Sequence, residues 1–390
     1  ARELIGSPHC GLQIADWRWL ESEIRNQMSR FTHTARDDMK LSDFDYELPA
    51  SLIAQVPSAE RERSRLMILH RESRLIEHKQ FSEIVGYLRK GDALVLNHSK
   101  VIPARLLGAS PRRGEKGARG EVLLLEEMAP NVWECLVKPG KKFHLGSQIF
   151  FRDPELVGEI VAETPFRTYA TRVIRFRCEG DVRDRLNEIG CVPLPPYIKR
   201  KKILPIDRER YQTVFASKEG SVAAPTAGFH FTARLLEAIH QKGVEAYFVT
   251  LHVGLGTFRP VRVQQIERHR MHAERFAIDD ATAQALNQAG GAGGRIVAVG
   301  TTSARGLETA ADDNGTIHPL NGKTALFIYP GYKFKALQKG ALLTNFHLPK
   351  STLLMLVCAF AGRDFVLRAY QEAIRMEYRF YSYGDAMLIL

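Results

Sequence analysis

The sequence lacks the marks of a membrane protein and of a disulfide-rich scaffold. It has five cysteines in 390 residues. They are widely spaced, and no two form a C-x-x-C pair, which disfavours a disulfide framework or a structural zinc site. The longest apolar run, residues 353–361, is far shorter than the roughly 18 residues that a membrane span needs. These absences predict a protein of the reducing cytoplasm.

Two common phosphate-binding motifs are also missing. The segment 250–258 contains Gly254 and Gly256 but lacks the third glycine and the following helix of a dinucleotide site. The segment 300–308 has no Gly-Lys-Ser/Thr of a P-loop. Positive charge is abundant instead: 55 Lys and Arg face 44 Asp and Glu, a formal net charge of +11. This excess is typical of proteins with a phosphate-rich partner.

Changes in composition and in the pattern of apolar residues divide the chain into three parts. Residues 1–38 differ from the rest and are interpreted as an N-terminal extension, either an upstream segment that is not native or a flexible one. Residues 98–191 contain short β-like runs between Gly, Pro and charged turns, which predicts an inserted small all-β domain, a barrel. Residues 39–97 and 192–390 alternate strands and helices. They predict a barrel-like α/β main domain.

Two segments of the main domain place a histidine where an apolar element begins or ends. In 224–232, His230 stands at the entrance to a helix, where free N–H groups bind anions; the alternative is a turn in which this histidine only packs. In 250–258, His252 follows an apolar strand. It either faces a ligand at the glycine-rich turn or is satisfied in the core.

Three further segments join polar groups to apolar elements. In 300–308, Arg305 lies one turn inside a helix and either holds a carboxylate or pairs with Glu308. The segment 344–352 and the aromatic stretch before Asp385 carry hydroxyl, imidazole and carboxyl groups. The aromatic rings of that stretch either stack a base or a sulfonium cation or belong to the core.

The cluster His269, His272 and Glu274 has a spacing that invites a metal interpretation. It lacks the H-E-x-x-H order, and no third ligand is placed nearby. A phosphate-facing cluster and acid/base work remain as alternatives. We predict no metal.

Ordered blocks from Met39 to the end of the chain carry a family resemblance. They include Asp43-Phe44-Asp45-Tyr46-Glu47-Leu48-Pro49, Val101-Ile102-Pro103-Ala104-Arg105-Leu106, Leu194-Pro195-Pro196-Tyr197-Ile198, Pro225-Thr226-Ala227-Gly228, Val299-Gly300-Thr301-Thr302-Ser303, Asn345-Phe346-His347-Leu348-Pro349 and Ser382-Tyr383-Gly384-Asp385-Ala386-Met387. Together these blocks resemble the S-adenosylmethionine:tRNA ribosyltransferase-isomerase family of queuosine biosynthesis.

The resemblance implies a transferase. The family transfers and isomerises the ribosyl part of S-adenosylmethionine onto 7-aminomethyl-7-deazaguanine in the tRNA anticodon, which yields epoxyqueuosine, adenine and methionine. S-adenosylmethionine is then a consumed cosubstrate, so no cofactor is expected. The partners are the tRNA and S-adenosylmethionine, with no membrane, and a monomer is expected. The alternatives are a non-catalytic RNA-binding module and a methyltransferase that uses the same cosubstrate.

The predicted site residues follow from these segments and from the resemblance. For proton transfer we predict His230, His252 and Asp385. For the S-adenosylmethionine pocket we predict Thr226, Gly228, Phe231, Gly254, Gly256, Thr257, Thr301, Thr302, Ser303, Arg305, Asn345, His347, Ser351 and Thr352. For tRNA we predict two basic loops, with solvated loops as the alternative: Arg112, Arg113, Lys116, Lys199, Arg200, Lys201 and Lys202.

Overall fold

The structure is a computed structural model, and it describes residues 39–112, 115–164, 171–200, 204–254 and 261–390. The predictions for residues 1–38 and for Arg113, Lys201, Lys202, Gly256 and Thr257 lie outside these ranges. Those for the side chains of Arg112 and Lys116 lie outside the described side chains.

Within the described ranges, seventeen strands build a large sheet, a barrel and a two-stranded ribbon. In chain order they are β1 (Arg65–Leu69), β2 (Ile76–Gln80), β3 (Ala93–Asn97), β4 (Ser99–Val101), β5 (Arg105–Arg112), β6 (Glu115–Ala129), β7 (Val132–Lys138), β8 (Gln148–Phe151), β9 (Val157–Thr164), β10 (Thr171–Arg177), β11 (Lys218–Ser221), β12 (Glu245–Leu251), β13 (Glu274–Ile278), β14 (Ile296–Val299), β15 (Leu320–Thr324), β16 (Ala341–Asn345) and β17 (Ala386–Ile389).

Seven α-helices accompany these strands in the described ranges. They are α1 (Val182–Ile189), α2 (Asp207–Arg210), α3 (Ala233–Gln241), α4 (Asp280–Gly291), α5 (Thr301–Ala310), α6 (Thr352–Ala361) and α7 (Arg363–Arg375). Short 3-10 turns join several of the elements, among them Thr226–His230. Within the described residues no helix is long and apolar enough to cross a membrane.

The main sheet has nine strands in the order β15-β13-β12-β3-β14-β16-β17-β1-β2. Its centre, β12-β3-β14-β16, is parallel, so the carboxyl ends of these four strands share one edge. Strands β3, β14 and β16 are buried along their whole length, because apolar layers cover both faces of the sheet. Polar groups that follow these strands therefore collect at one edge of the sheet.

A closed six-stranded barrel, with the order β10-β7-β6-β5-β8-β9, is inserted in the chain between β4 and β11, the two strands of the ribbon. It has its own apolar interior, to which Leu106, Leu124 and Ile149 contribute. At Gly120 a Cβ atom would come within 2.4 Å of the Phe143 ring, so this position admits only glycine without displacement of the ring. The predicted fold class, α/β with an inserted β-barrel, is confirmed. The exact domain limits, 98–191 for the insertion, stay a prediction.

Local patterns predicted one helix closely and misplaced one strand. The Thr232 hydroxyl accepts the Leu235 N–H at 3.1 Å at the start of α3, as an N-cap residue does. The pattern of residues 324–329 predicts a strand, and this prediction is wrong, since the strand in this region, β15, ends at Thr324. The following residues leave the sheet because their contacts are elsewhere: the Leu326 carbonyl accepts Arg305 Nε at 3.1 Å.

Candidate functional site

A cleft opens at the carboxyl ends of the parallel strands. Its walls come from Val253 after β12, from Gly300 and the first turn of α5 after β14, and from the end of β16 with the segment up to Leu348. The 3-10 turn Thr226–His230 and the start of α6 close it. The cavity in the cleft has a volume of about 70 Å³, so the cleft is narrow.

The cleft collects six of the residues predicted from sequence: Thr226, Thr301, Thr302, Asn345, His347 and Ser351. It also contains residues that were not among the predicted site residues: Tyr197, Thr344, Tyr381 and Ser382. Tyr197 belongs to the Leu194–Ile198 block, and Tyr381 and Ser382 belong to the C-terminal aromatic run. The sequence alone does not show that these segments meet at the cleft.

The first turn of α5 presents free donors to the cleft. Gly300 has φ +89°, a conformation that other residues adopt only with strain, and it turns the chain sharply from β14 into the helix. The Ser303 hydroxyl donates back to the Val299 carbonyl at 2.8 Å. Thr302 Oγ1 is buried without a hydrogen-bond partner. The helix N–H groups and this hydroxyl can therefore bind an anionic group.

Asn345 and two tyrosines form the opposite wall. The Asn345 amide donates to the Tyr381 carbonyl at 3.0 Å, while Asn345 Oδ1 is buried without a partner. The rings of Tyr197 and Tyr381 lie 4.7 Å apart, and Tyr197 Oη is 2.6 Å from Ser382 Oγ. This wall can accept one hydrogen bond and offers flat rings to a base or a cation.

His347 lies in the cleft wall and is held from several sides. Its Nε2 is 2.7 Å from Thr344 Oγ1, and its backbone N–H donates to Tyr370 Oη at 3.0 Å. The Tyr46 hydroxyl donates to its carbonyl. Burial lowers the pKa of the imidazole to about 3, so the ring is neutral near pH 7.

His230 lies behind this wall. Its Nδ1 is 2.6 Å from Ser64 Oγ, and its ring packs against Phe81 with 4.9 Å between centroids. Burial lowers the pKa of His230 to about 3, although Asn345 favours the charged form. Nε2 makes no hydrogen bond of good geometry. This histidine is therefore neutral; it interacts with Asn345 of the wall but does not line the cleft itself.

Arg305 and Asp385 do not line the cleft. Arg305 Nη1 is 2.6 Å from Glu274 Oε2 in a buried ion pair, and Glu274 Oε1 accepts the Gly254 N–H at 3.0 Å. The Arg305–Glu308 pair is not formed. Asp385 accepts the backbone N–H groups of Arg65 and Arg379 at 2.9 and 2.8 Å, and burial raises its pKa.

The other predicted pocket residues lie near the cleft without lining it. Gly228 packs against Thr213, which a Cβ at this glycine would approach within 2.7 Å. Phe231 belongs to the core, and Thr352 begins α6 beside the cleft. His252 lies against Gly220, and its Nδ1 is buried without a partner. Burial lowers its pKa as well.

The second basic loop is only partly free. Lys199 is exposed, but Arg200 is mostly buried and binds both oxygens of Asp207 at 2.6 and 2.8 Å. The Tyr383 hydroxyl donates to the same carboxylate at 2.9 Å. The charge of Arg200 is therefore compensated inside the protein. Within the ranges described, no group of three His, Cys, Asp or Glu side chains could hold a metal ion.

A mixed sheet with an inserted barrel and a largely apolar cleft, which a few polar groups line at the strand ends, defines an α/β protein built to bind a small molecule. The family model described as "Queuosine biosynthesis protein" matches residues 41–389. The chain belongs to this family.

Named relatives are similar over nearly the whole length. An S-adenosylmethionine:tRNA ribosyltransferase-isomerase of Symbiobacterium thermophilum is 54% identical over 90% of this chain and 100% of its own. One of Staphylococcus haemolyticus is 49% identical with the same coverage. A crystal structure of S-adenosylmethionine tRNA ribosyltransferase from Thermotoga maritima matches with a TM-score of 0.50 and 40% identity, over 90% of this chain and 100% of that one.

Proposed function

We propose that this protein is a transferase that moves and isomerises the ribosyl group of S-adenosylmethionine onto 7-aminomethyl-7-deazaguanine in a tRNA anticodon. The products are epoxyqueuosine-tRNA, adenine and methionine. The observation that carries the proposal is similarity of about half the residues to enzymes of this name, over their full length. A location in the cytoplasm, where tRNA is modified, is part of the proposal.

The reaction sets three demands on the cleft. The sulfonium of S-adenosylmethionine acidifies the C5′ protons and makes methionine a leaving group, so a base must accept a C5′ proton. Departing adenine needs a proton. Both reactants must be oriented and shielded from water. No metal or further cofactor is required by this scheme.

The cleft offers a place for each part of the cosubstrate. The methionine carboxylate fits the N–H groups at the start of α5 and the free hydroxyl of Thr302. The adenine ring and the sulfonium fit the wall of Tyr197 and Tyr381, where flat, electron-rich faces are available. The unpartnered Asn345 Oδ1 accepts from an amino or hydroxyl group.

His347 is our first candidate for proton transfer, because a general base must lie within hydrogen-bond reach of the substrate. It lines the cleft, and burial keeps its imidazole neutral. His230 is the second candidate: it interacts with Asn345 of the wall but does not line the cleft. His252 and Asp385, which lie outside the cleft lining, stay proposals that the same experiments test.

Product analysis tests the function directly. The purified protein is incubated with S-adenosylmethionine and tRNA that carries 7-aminomethyl-7-deazaguanine, and the small products are separated. We expect adenine and methionine in equal amounts, together with modified tRNA. S-adenosylhomocysteine would instead identify a methyltransferase, and binding without any small product would identify an RNA-binding module.

A further inference from the structure

Three arginines beside the cleft are held by backbone carbonyl groups rather than by carboxylates. We call Arg61, Arg210 and Arg379 the arginine rim. Each is partly exposed, and none has a carboxylate within ion-pair distance in the described part of the chain. Their hydrogen bonds, of which the Arg61 and Arg210 bonds measure 2.6 to 3.3 Å, end on the carbonyl oxygens of Val56, Ser58, Ala59, Glu209 and Phe229.

Two charges of the arginine rim, those of Arg61 and Arg210, are close enough to act on each other. Burial, followed by the charge of Arg210, lowers the pKa of Arg61. The nearby acids are mostly engaged with other cations: Glu60 with Arg63, Glu62 with Arg234, and Asp207 with Arg200. Glu209 offsets part of the charge of Arg61, and Asp385 offsets part of the charge of Arg379. The rim therefore keeps an excess of positive charge.

The arginine rim adjoins the wall of the cleft. Arg379 precedes Ser382 of the wall by three residues, and Arg61 precedes Ser64, the partner of His230, by three. The charges of Arg61 and Arg379 both act on the buried ring of His230. An anion bound to the rim would thus lie next to whatever group enters the cleft.

We propose that the arginine rim binds the tRNA phosphates that flank the nucleotide entering the cleft. This inference rests on the proposed function. A guanidinium fixed on a carbonyl keeps its full charge and its remaining N–H donors, and its position is set before the ligand arrives. Such contacts orient a nucleic acid without reading its sequence. The rim, more than the compensated Arg200, then places the target base at the cleft.

The test uses the full chain with the variants Arg210→Gln and Arg379→Gln, singly and together. Arg368→Gln is the matched control, because its Nη2 also donates to a carbonyl, that of Arg74, at 2.7 Å in another cluster. The dissociation constant for the tRNA is measured at several salt concentrations, and that for S-adenosylmethionine serves as the test of a folded cleft. Arg210→Lys tests whether charge alone suffices.

We expect each single variant to weaken tRNA binding about tenfold and to reduce the salt slope by about one, with S-adenosylmethionine binding and the control unchanged. Arg210→Lys should recover most of the slope. If the variants bind S-adenosylmethionine normally and keep the wild-type salt slope for tRNA, the arginine rim does not bind tRNA phosphates. This readout is tRNA binding, so it does not depend on the products of the reaction. A wild-type protein that releases no adenine would refute the proposed function, but it would not contradict tRNA binding by the arginine rim.

Discussion

Arginine side chains have different partners in the barrel and on the cleft side of the main domain. Around the barrel, arginines pair with carboxylates, mostly at the surface: Arg105 with Glu121, Arg172 with Glu163, Arg177 with Glu159, Arg183 with Glu127, and Arg185 with Asp153 and Glu155. Beside the cleft, among the described residues, the Arg305–Glu274 pair is buried, and the guanidinium groups of Arg61, Arg210 and Arg379 donate hydrogen bonds to carbonyls without forming an ion pair. The net positive charge of the sequence therefore does not show which arginines remain without a carboxylate partner after folding.

The largest expected effect is on turnover at the cleft. His347→Ala should lower the rate of adenine release by about 10²- to 10⁴-fold, since it removes the imidazole that lines the cleft. The rate is measured at saturating S-adenosylmethionine, together with its affinity. The same assay on His230→Ala, His252→Ala, Arg305→Ala and Asp385→Asn ranks the other candidates predicted from sequence.

The barrel supplies the control for this series. His144 is an exposed histidine of the barrel, and His144→Gln should leave adenine release unchanged. If His347→Ala reduces only the affinity for S-adenosylmethionine, this histidine binds and does not transfer a proton. If all five cleft-side variants release adenine at the wild-type rate, the reaction takes place elsewhere.

The next effect is on the stability of the main domain. Glu274→Ala leaves Arg305 charged and buried, and the loss of one partner of such a pair costs about 3–5 kcal/mol. The side chains of Glu274 and Arg305 are only 5% and 4% exposed, so water cannot replace the lost partner. Urea unfolding followed by the helical circular dichroism signal measures the change. A loss below about 1 kcal/mol would mean that Arg305 finds another partner.

The sequence predicted those features that depend on neighbours along the chain. The N-cap at Thr232 and the strand Gln148–Phe151 follow from local pattern, as does the collection of polar groups at strand ends. The partner of Arg305 could not be found in this way. Local spacing offered Glu308, three residues on, as an alternative partner, whereas the structure uses Glu274, 31 residues away, because the fold brings β13 beside α5.

Other contacts of the site could not be predicted for the same reason: their partners are far apart in the sequence. Ser64 and His230 are 166 residues apart, and Tyr197 and Ser382 are 185 apart. Neither pair has a local signal. The arginine rim has none either, because its acceptors are backbone carbonyls, which every residue possesses. Clusters of basic letters in the sequence predict loops rich in charge, but they do not tell which charges are compensated after folding.

A smaller expected effect is a difference between the two domains in how their stability depends on pH. His230 is 3% exposed, and burial lowers its pKa from 6.5 to about 3. The unfolded chain therefore binds a proton below pH 6.5 that the folded main domain does not bind until about pH 3. The free energy of unfolding should fall by about 1.4 kcal/mol per pH unit for this histidine as pH drops through that window, and His347, whose pKa burial also lowers to about 3, adds a loss of the same kind. The barrel, whose described histidine is exposed, should not share this loss.

A single-tryptophan variant measures this difference. Trp133 is buried in the barrel, and the other two tryptophans are Trp17 and Trp19. In a Trp17→Phe, Trp19→Phe background, fluorescence reports the barrel and helical circular dichroism reports mainly the main domain. We expect the main-domain transition to weaken first between pH 6.5 and 4. Equal losses in both signals, or a His230→Gln variant with the same pH dependence, would contradict the assignment to His230.

The smallest expected effect is at a barrel ion pair. Arg177 and Glu159 pair at the surface, with side chains 59% and 28% exposed. Such a pair contributes about 0–1 kcal/mol, since water screens it and solvates either partner left alone. Arg177→Gln should therefore change the urea midpoint of Trp133 fluorescence only slightly, and should leave the salt slope of tRNA binding at its wild-type value. A slope reduced by about one, as expected for Arg210→Gln, would move the phosphate contacts to the barrel and remove the difference between the two regions.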